Sequence, residues 1–206
     1  MSELDTSLLP LHFFRLFLDT LTAELGPERL VTVLEKADLP AGLIDPQVVS
    51  SYTSQSAAQT YARIQKAMRV YYGRGARGAL MRIGRLMWAR LLRSASISDK
   101  AQAQLVRTLP LGMRRKPVLE LLARFMREKP EAVSVHSLDL DLMFVDHVSA
   151  TSAGQSEPSP VCYVTLGLIQ ESLLWATSRE HDIEEISCSA FGGHACEFRI
   201  KLEGKI

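Results

Sequence analysis

Apolar residues in this chain follow two different periods, and the change between them near residue 130 limits the fold more than any other feature. Leu11, Phe14, Leu18, Leu21 and Leu25 step by threes and fours, which places them on one face of an α-helix. Gly26 stops that helix, and Pro27 suits the first turn of a short second one over residues 27–37. Residues 53–73 and 76–95 predict two longer helices, and 99–129 one or two more around a break at 109–117. Then Leu138, Leu140, Leu142 and Phe144 alternate with Asp139, Asp141 and Met143, the period of a strand with one wet face. Residues 149–160 have the composition of a loop, 161–178 predict a buried helix, and 182–204 a hairpin turning at Gly192-Gly193-His194-Ala195. The expected class is α+β: N-terminal helices followed by a small antiparallel sheet with an inserted helix.

Gly78 and Gly84 fall inside a predicted helix, where each costs up to about 1 kcal/mol relative to alanine. Two glycines on neighbouring turns imply close approach of another backbone or of a bound group. The 206 residues suffice for one domain with a helical extension, and we divide them into an N-terminal arm, 1–45, and a ligand-binding domain, 46–206. The apolar stripe of Leu11–Leu25 is the expected homodimer contact.

Charge is segregated behind a formal net value of +1. Residues 1–45 carry eight acids against Arg15, Arg29 and Lys36, whereas 46–98 hold no Asp or Glu beside Arg63, Lys66, Arg69, Arg74, Arg77, Arg82, Arg85, Arg90 and Arg93. One basic surface is expected, facing an acidic partner or an anionic ligand. The arginines interleave with core positions and show no base-reading motif, so nucleic acid is not an expected partner. No apolar run reaches the ~18 residues of a membrane span, and the acidic, polar N-terminus does not read as a secretory signal. The expected compartment is the cytoplasm.

Three cysteines, an odd number, argue against a closed disulfide framework. Cys188 follows Glu185 by three positions and precedes Cys196 by eight, across the Gly-Gly turn, and Cys162 opens the preceding helix, where thiolate is favoured. Three thiols and a carboxylate would make a closed zinc site. Buried structural cysteine is the plainer alternative. No GxSxG, phosphate-binding Walker loop or HExxH motif occurs, and "YYGRGARG" lies between helices rather than after a strand, which disfavours a dinucleotide site.

The stretch "PVCYVTLGLIQESLLWATSREHDIEEISCSAFGGHACEFRI", 160–200, with "YYGRGARGALMRIGR" upstream, resembles the 4-vinyl reductase domain family. That resemblance implies a fold similar to vesicle-tethering-complex subunits and haem nitric-oxide-binding domains. It implies members that bind hydrophobic small molecules, either as aromatic-sensing inputs or as stand-alone proteins of bacteriochlorophyll synthesis. It also implies a zinc ion held by Cys162, Glu185, Cys188 and Cys196. Strand alternation puts the rival carboxylate, Glu184, on the other face. Four protein ligands leave no open position, so the zinc is expected to be structural, with backbone donors around Gly192 and Gly193 offsetting the charge of three thiolates.

The function expected from these readings is that of a non-catalytic carrier or sensor of a hydrophobic small molecule, with a porphyrin-like bacteriochlorophyll precursor among the candidates. The expected ligand contacts are Arg74, Arg77 and Arg85 as an anion-selecting rim, Trp88 as an aromatic face, and His147 as a ligand to a tetrapyrrole metal. His12 and His136 are rival candidates for that metal, and Met81, Met87 and Trp175 are the other candidate pocket residues. Competing readings are an accessory subunit or enzyme of vinyl-group reduction, working with an enzyme partner, and a protein-assembly module.

Overall fold

The structure, a computed structural model, describes residues 7–139 and 141–202, apart from the side chain of Pro46. The helices are α1 Leu11–Leu25, α2 Pro27–Lys36, α3 Pro46–Ser50, α4 Ser54–Tyr72, α5 Ala76–Ser94, α6 Ile97–Thr108 and α7 Arg115–Met126. Strands β1 Val133–Leu138 and β2 Asp141–Asp146 follow, then α8 Tyr163–Thr177, β3 Ile183–Ser187 and β4 Cys196–Lys201. The sheet is antiparallel with strand order β1-β2-β4-β3, and α8 is the inserted helix. The class is α+β, as the periods imply.

Local chemistry explains the boundaries. Gly26 separates α1 from α2 at φ 76°, a conformation that glycine adopts without strain. Thr53 and Ser56 form a reciprocal capping box that starts α4. Ser96 caps α6 by accepting the N–H of Asp99. Ser178, left-handed at φ 57°, ends α8.

One expectation needs correction. The alternation from Leu138 to Phe144 is not a single strand but spans a hairpin, with Asp139 in the turn at φ 41°. Leu140 lies outside the described residues, as do 1–6 and 203–206. Leu138 pairs with Asp141, Ser137 with Leu142, and Val135 with Phe144. Facing residues share a side of a sheet, so the turn reverses the parity. Val133, Leu142 and Phe144 face the core, while Leu138 is left exposed.

The N-terminal helices share one core with the remainder of the chain. Phe13, Phe14, Phe17, Leu18 and Leu21 of α1 are buried, and the ring of Tyr61 on α4 meets Phe17 edge-on at 4.6 Å. The α1 stripe is therefore largely spent inside the molecule; only Leu11 and Leu25 of it are partly exposed. The sheet presents Phe144 and Phe198 inward, 6.2 Å apart and edge-on.

The tightest contact is the crossing of α5 and α8. A Cβ added at Gly84 would lie 2.1 Å from the carbonyl oxygen of Val164, and one at Gly167 would lie 2.1 Å from that of Met81. Two backbones touch there because each offers a glycine. Close approach of another backbone holds for Gly84 and not for Gly78, which has open space around it.

Candidate metal centre

Three elements converge on one buried cluster. Cys162 is the N-terminal cap position of α8, Glu185 lies in β3, Cys188 just follows β3, and Cys196 opens β4. One ligand atom from each of these four residues lies within 4.8 Å of the others. The sulfur of Cys162 is 3.8 Å from that of Cys188 and 3.3 Å from that of Cys196, and the Cys188–Cys196 pair is 3.9 Å apart. Thiolates bound tetrahedrally to zinc at ~2.3 Å stand roughly 3.8 Å apart, so two of the three pairs already have that spacing. All three cysteines are free thiols and buried.

Glu185 supplies the test of fit. Its Oε2 accepts the backbone N–H of Cys162 at 3.2 Å, while its Oε1 is buried with no hydrogen-bond partner. A buried carboxylate oxygen without a partner is costly, and a cation bound by the Glu185 carboxylate would offset that cost. Four donors of this kind fit a closed, borderline-soft divalent site and leave no position for a reacting water. Glu184, on the opposite strand face, is exposed and paired with Arg199 at 2.9 Å.

The hairpin tip explains how Cys188 and Cys196 meet. The chain leaves β3 into a 3-10 turn, Ser189–Phe191, and Gly192 returns it at φ 88°. The N–H of Gly193 donates to the carbonyl of Cys188, not to a sulfur, which corrects the expectation for Gly192 and Gly193. The donors to sulfur come from Ser189, whose N–H and hydroxyl lie 3.5 and 3.3 Å from the Cys196 sulfur. Ser149 approaches the Cys162 sulfur at 3.9 Å. These serines gave no signal in the sequence, because nothing in their spacing distinguishes them from ordinary turn residues. The N-terminus of α8 adds its positive dipole end to an anionic cluster.

Electrostatics follows from this packing. Hydrogen bonds from Cys162 and then Cys188 pull the Cys196 thiol well below its ordinary value, while hydrogen bonding to Cys188 and Cys196 and then burial hold Cys162 up. Burial raises Glu185. Asp146, paired across the sheet with Cys196, is pushed up to about 7 by burial and then by the Cys196 charge. Ser149 and the Val148 N–H pull it partly back.

Asp146 therefore binds its proton more tightly folded than unfolded, where its value is 3.8. The stability it contributes is fully present below about pH 4, falls as pH rises from there to about 7, and stays lost above. Asp146→Asn should remove that slope. In urea unfolding, the stability of the variant relative to the parent should rise by about 2 kcal/mol between pH 5 and pH 7; a difference independent of pH would refute the assignment.

The proposed ligand contacts are dispersed. Arg74 and Arg77 are exposed. Arg85 is engaged by Glu171 at 2.9 Å and Glu180 at 3.0 Å, and lines a groove with Gly78, Met81 and Gln170. Trp88 is in the core, 5.6 Å from Trp175 and 6.1 Å from Phe125. His147, just past β2, is exposed and hydrogen-bonded to Ser134 at 2.9 Å. His12 and His136 are exposed as well, and Met87 is buried. Arg77 alone of the five reaches the neighbourhood of the metal cluster. It lies over the Tyr163 ring at 6.0 Å, in a cleft of about 310 Å³ formed with Ser159, Pro160, Leu166, Ile183, Glu184 and Glu185.

No family model and no curated protein matches this chain. Among solved structures it is similar to an H-NOX protein from S. oneidensis in the Fe(II)NO ligation state, at 14% identity and TM-score 0.54, covering 93% of this chain and 98% of that one. The H-NOX domain from Shewanella oneidensis in the Fe(II)CO ligation state also matches, at 18% identity and TM-score 0.47, covering 94% and 98%. At such identity the likeness is one of fold: the chain has the α+β architecture of H-NOX domains over nearly its whole length.

Proposed function

We propose that this chain is a non-catalytic binding domain in which a structural zinc ion braces one wall of a small-molecule cleft, and that it acts as a carrier or sensor. The observation that carries the reading is Glu185. It joins the Cys162–Cys188–Cys196 cluster through a carboxylate oxygen, its Oε1 has no hydrogen-bond partner, and the same residue lines the Arg77–Tyr163 cleft. One side chain thus links the metal centre to a surface that a ligand can reach. The cleft offers an aromatic ring, apolar contacts from Leu166 and Ile183, a guanidinium, and the Glu184 and Glu185 carboxylates, which suit a hydrophobic molecule with a polar group at Arg77. The 4-vinyl reductase resemblance supports zinc and a hydrophobic ligand. A tetrapyrrole has less support, because Trp88 is enclosed and Arg85 already holds two glutamates.

Metal analysis of protein purified without added zinc should give about one zinc per chain, the stoichiometry of a closed four-ligand site. Absorbance titration with aromatic acids and porphyrins should then find a ligand whose binding depends on Arg77. Metal-free protein of normal stability would refute the zinc centre, and binding that ignores Arg77→Ala would refute the cleft.

A further inference from the structure

We propose that the outer face of the α6–α7 hairpin docks on an anionic lipid surface. Inward, α6 buries Ala103 and Val106. On its solvent side, Ile97, Ala101 and Leu105 follow one another at four-residue steps, so a second apolar line runs along the same helix. Ile97 is 89% exposed and Leu105 62%. The 3-10 turn Leu111–Met113, which follows α6, adds Leu111 at 50% and Met113 at 62%. Single exposed apolar residues are ordinary, but four of them within seventeen positions on one hairpin mark a contact surface.

Charge identifies what covers it. Between residues 90 and 119 stand Arg90, Arg93, Lys100, Arg107, Arg114, Arg115 and Lys116, against the single acid Asp99. Asp99 is paired with Arg124 at 2.7 Å. Arg114 is used to tie the turn, donating to the carbonyls of Leu109 and Ala176, Arg115 donates to His181, and Arg107 lies over Trp175. Arg90, Arg93, Lys100 and Lys116 make no ion pair among the described residues. Glu120, the next acid, lines a separate hollow with Gln102 and Arg124.

The occupant must accept apolar side chains and unneutralised cations side by side. An anionic bilayer does both: Leu111 and Met113 enter the acyl boundary while lysine and arginine stems extend to the headgroups. A second copy of the chain joined by a two-fold axis would set this cationic face against itself. A nucleic acid would use the charges and leave the apolar line in water. No helix among the described residues is long and apolar enough to cross a membrane, so the association is peripheral.

Flotation of the full chain with phosphatidylcholine vesicles, with and without phosphatidylglycerol, tests the proposal. Recovery should be at least about tenfold greater on the anionic vesicles and should fall with added salt. The double variant Leu111→Ser/Met113→Ser, and separately Arg93→Glu/Lys100→Glu, should each lower that recovery about tenfold. All four residues are exposed, so circular dichroism and metal content should match the parent. Equal recovery on neutral and anionic vesicles, no recovery at all, or parental binding by either variant would overturn the proposal. So would a dimer, seen by light scattering, that the Leu111→Ser/Met113→Ser variant abolishes without any vesicle binding by the parent.

Discussion

Cys196→Ser should release the metal and lower stability by about 4 kcal/mol, the contribution of a ligand present at a thousand times its dissociation constant. The Cys196 sulfur is 3.3 Å from that of Cys162 and 3.9 Å from that of Cys188, and is the target of both Ser189 donors. Its loss removes one ligand and leaves three buried donors without a common partner. A buried serine carries a cost of its own, about 1–3 kcal/mol, so a second measurement separates the two effects. Chelation of the parent should reproduce most of the loss in urea unfolding, and the variant should be indifferent to chelator. A parent that unfolds at the same midpoint with and without chelator would show that the cluster is only a packed set of thiols.

The second large effect is expected at Gly84. Alanine is a better helix former than glycine by up to about 1 kcal/mol, and on that ground alone Gly84→Ala would stabilise α5. The crossing reverses the sign. The new methyl would sit 2.1 Å from a main-chain oxygen at Val164, which no rotamer change can move. The helices must separate along their length, and overpacking of this kind costs about 3 kcal/mol or more. Gly167→Ala should cost as much, since its methyl meets the Met81 carbonyl at the same distance. Gly78→Ala is the control: it has open space and should gain about 0.5–1 kcal/mol. Val164 lies two residues past Cys162, so Gly84→Ala should also loosen metal retention. Equal urea midpoints for the Gly78 and Gly84 variants would disprove the backbone contact.

These two sites share a structural logic. The Cys162–Glu185–Cys188–Cys196 cluster joins the N-terminus of α8 to the β3–β4 hairpin, and the glycine crossing fixes α8 against α5. Together they hold the Arg77–Tyr163 cleft, whose walls come from α5, α8 and β3. A loss at either site should therefore reach the other through α8.

Helices α1, α2, α4 and α5 were legible because their signals are local: stripes at three and four, a glycine that ends α1, a proline that opens α2. The Cys188–Cys196 pairing was legible for the same reason, since a hairpin is a short-range object. The division of Leu138–Phe144 was not, because a turn that reverses parity leaves the alternation of apolar and polar letters nearly intact. The burial of Trp88 and the pairing of Arg85 were not legible, because type and spacing are the same for a core tryptophan and an exposed one, or for a free arginine and one held by Glu171 and Glu180. Those partners lie far along the chain from Arg85. Ser189, Ser149 and Asp146 were invisible for the converse reason: each matters only through what stands beside it.

The sequence by itself determined the class of the fold, the helix ends and the residue types that can bind a soft metal, because each depends on neighbours within a turn or two. Tertiary structure decided which of two glycines touches a backbone, which carboxylate oxygen lacks a partner, and which arginines remain unpaired. These are properties of distance between segments, and long-range contacts are set by how the whole set of faces packs at once rather than by any stretch of residues that meets them.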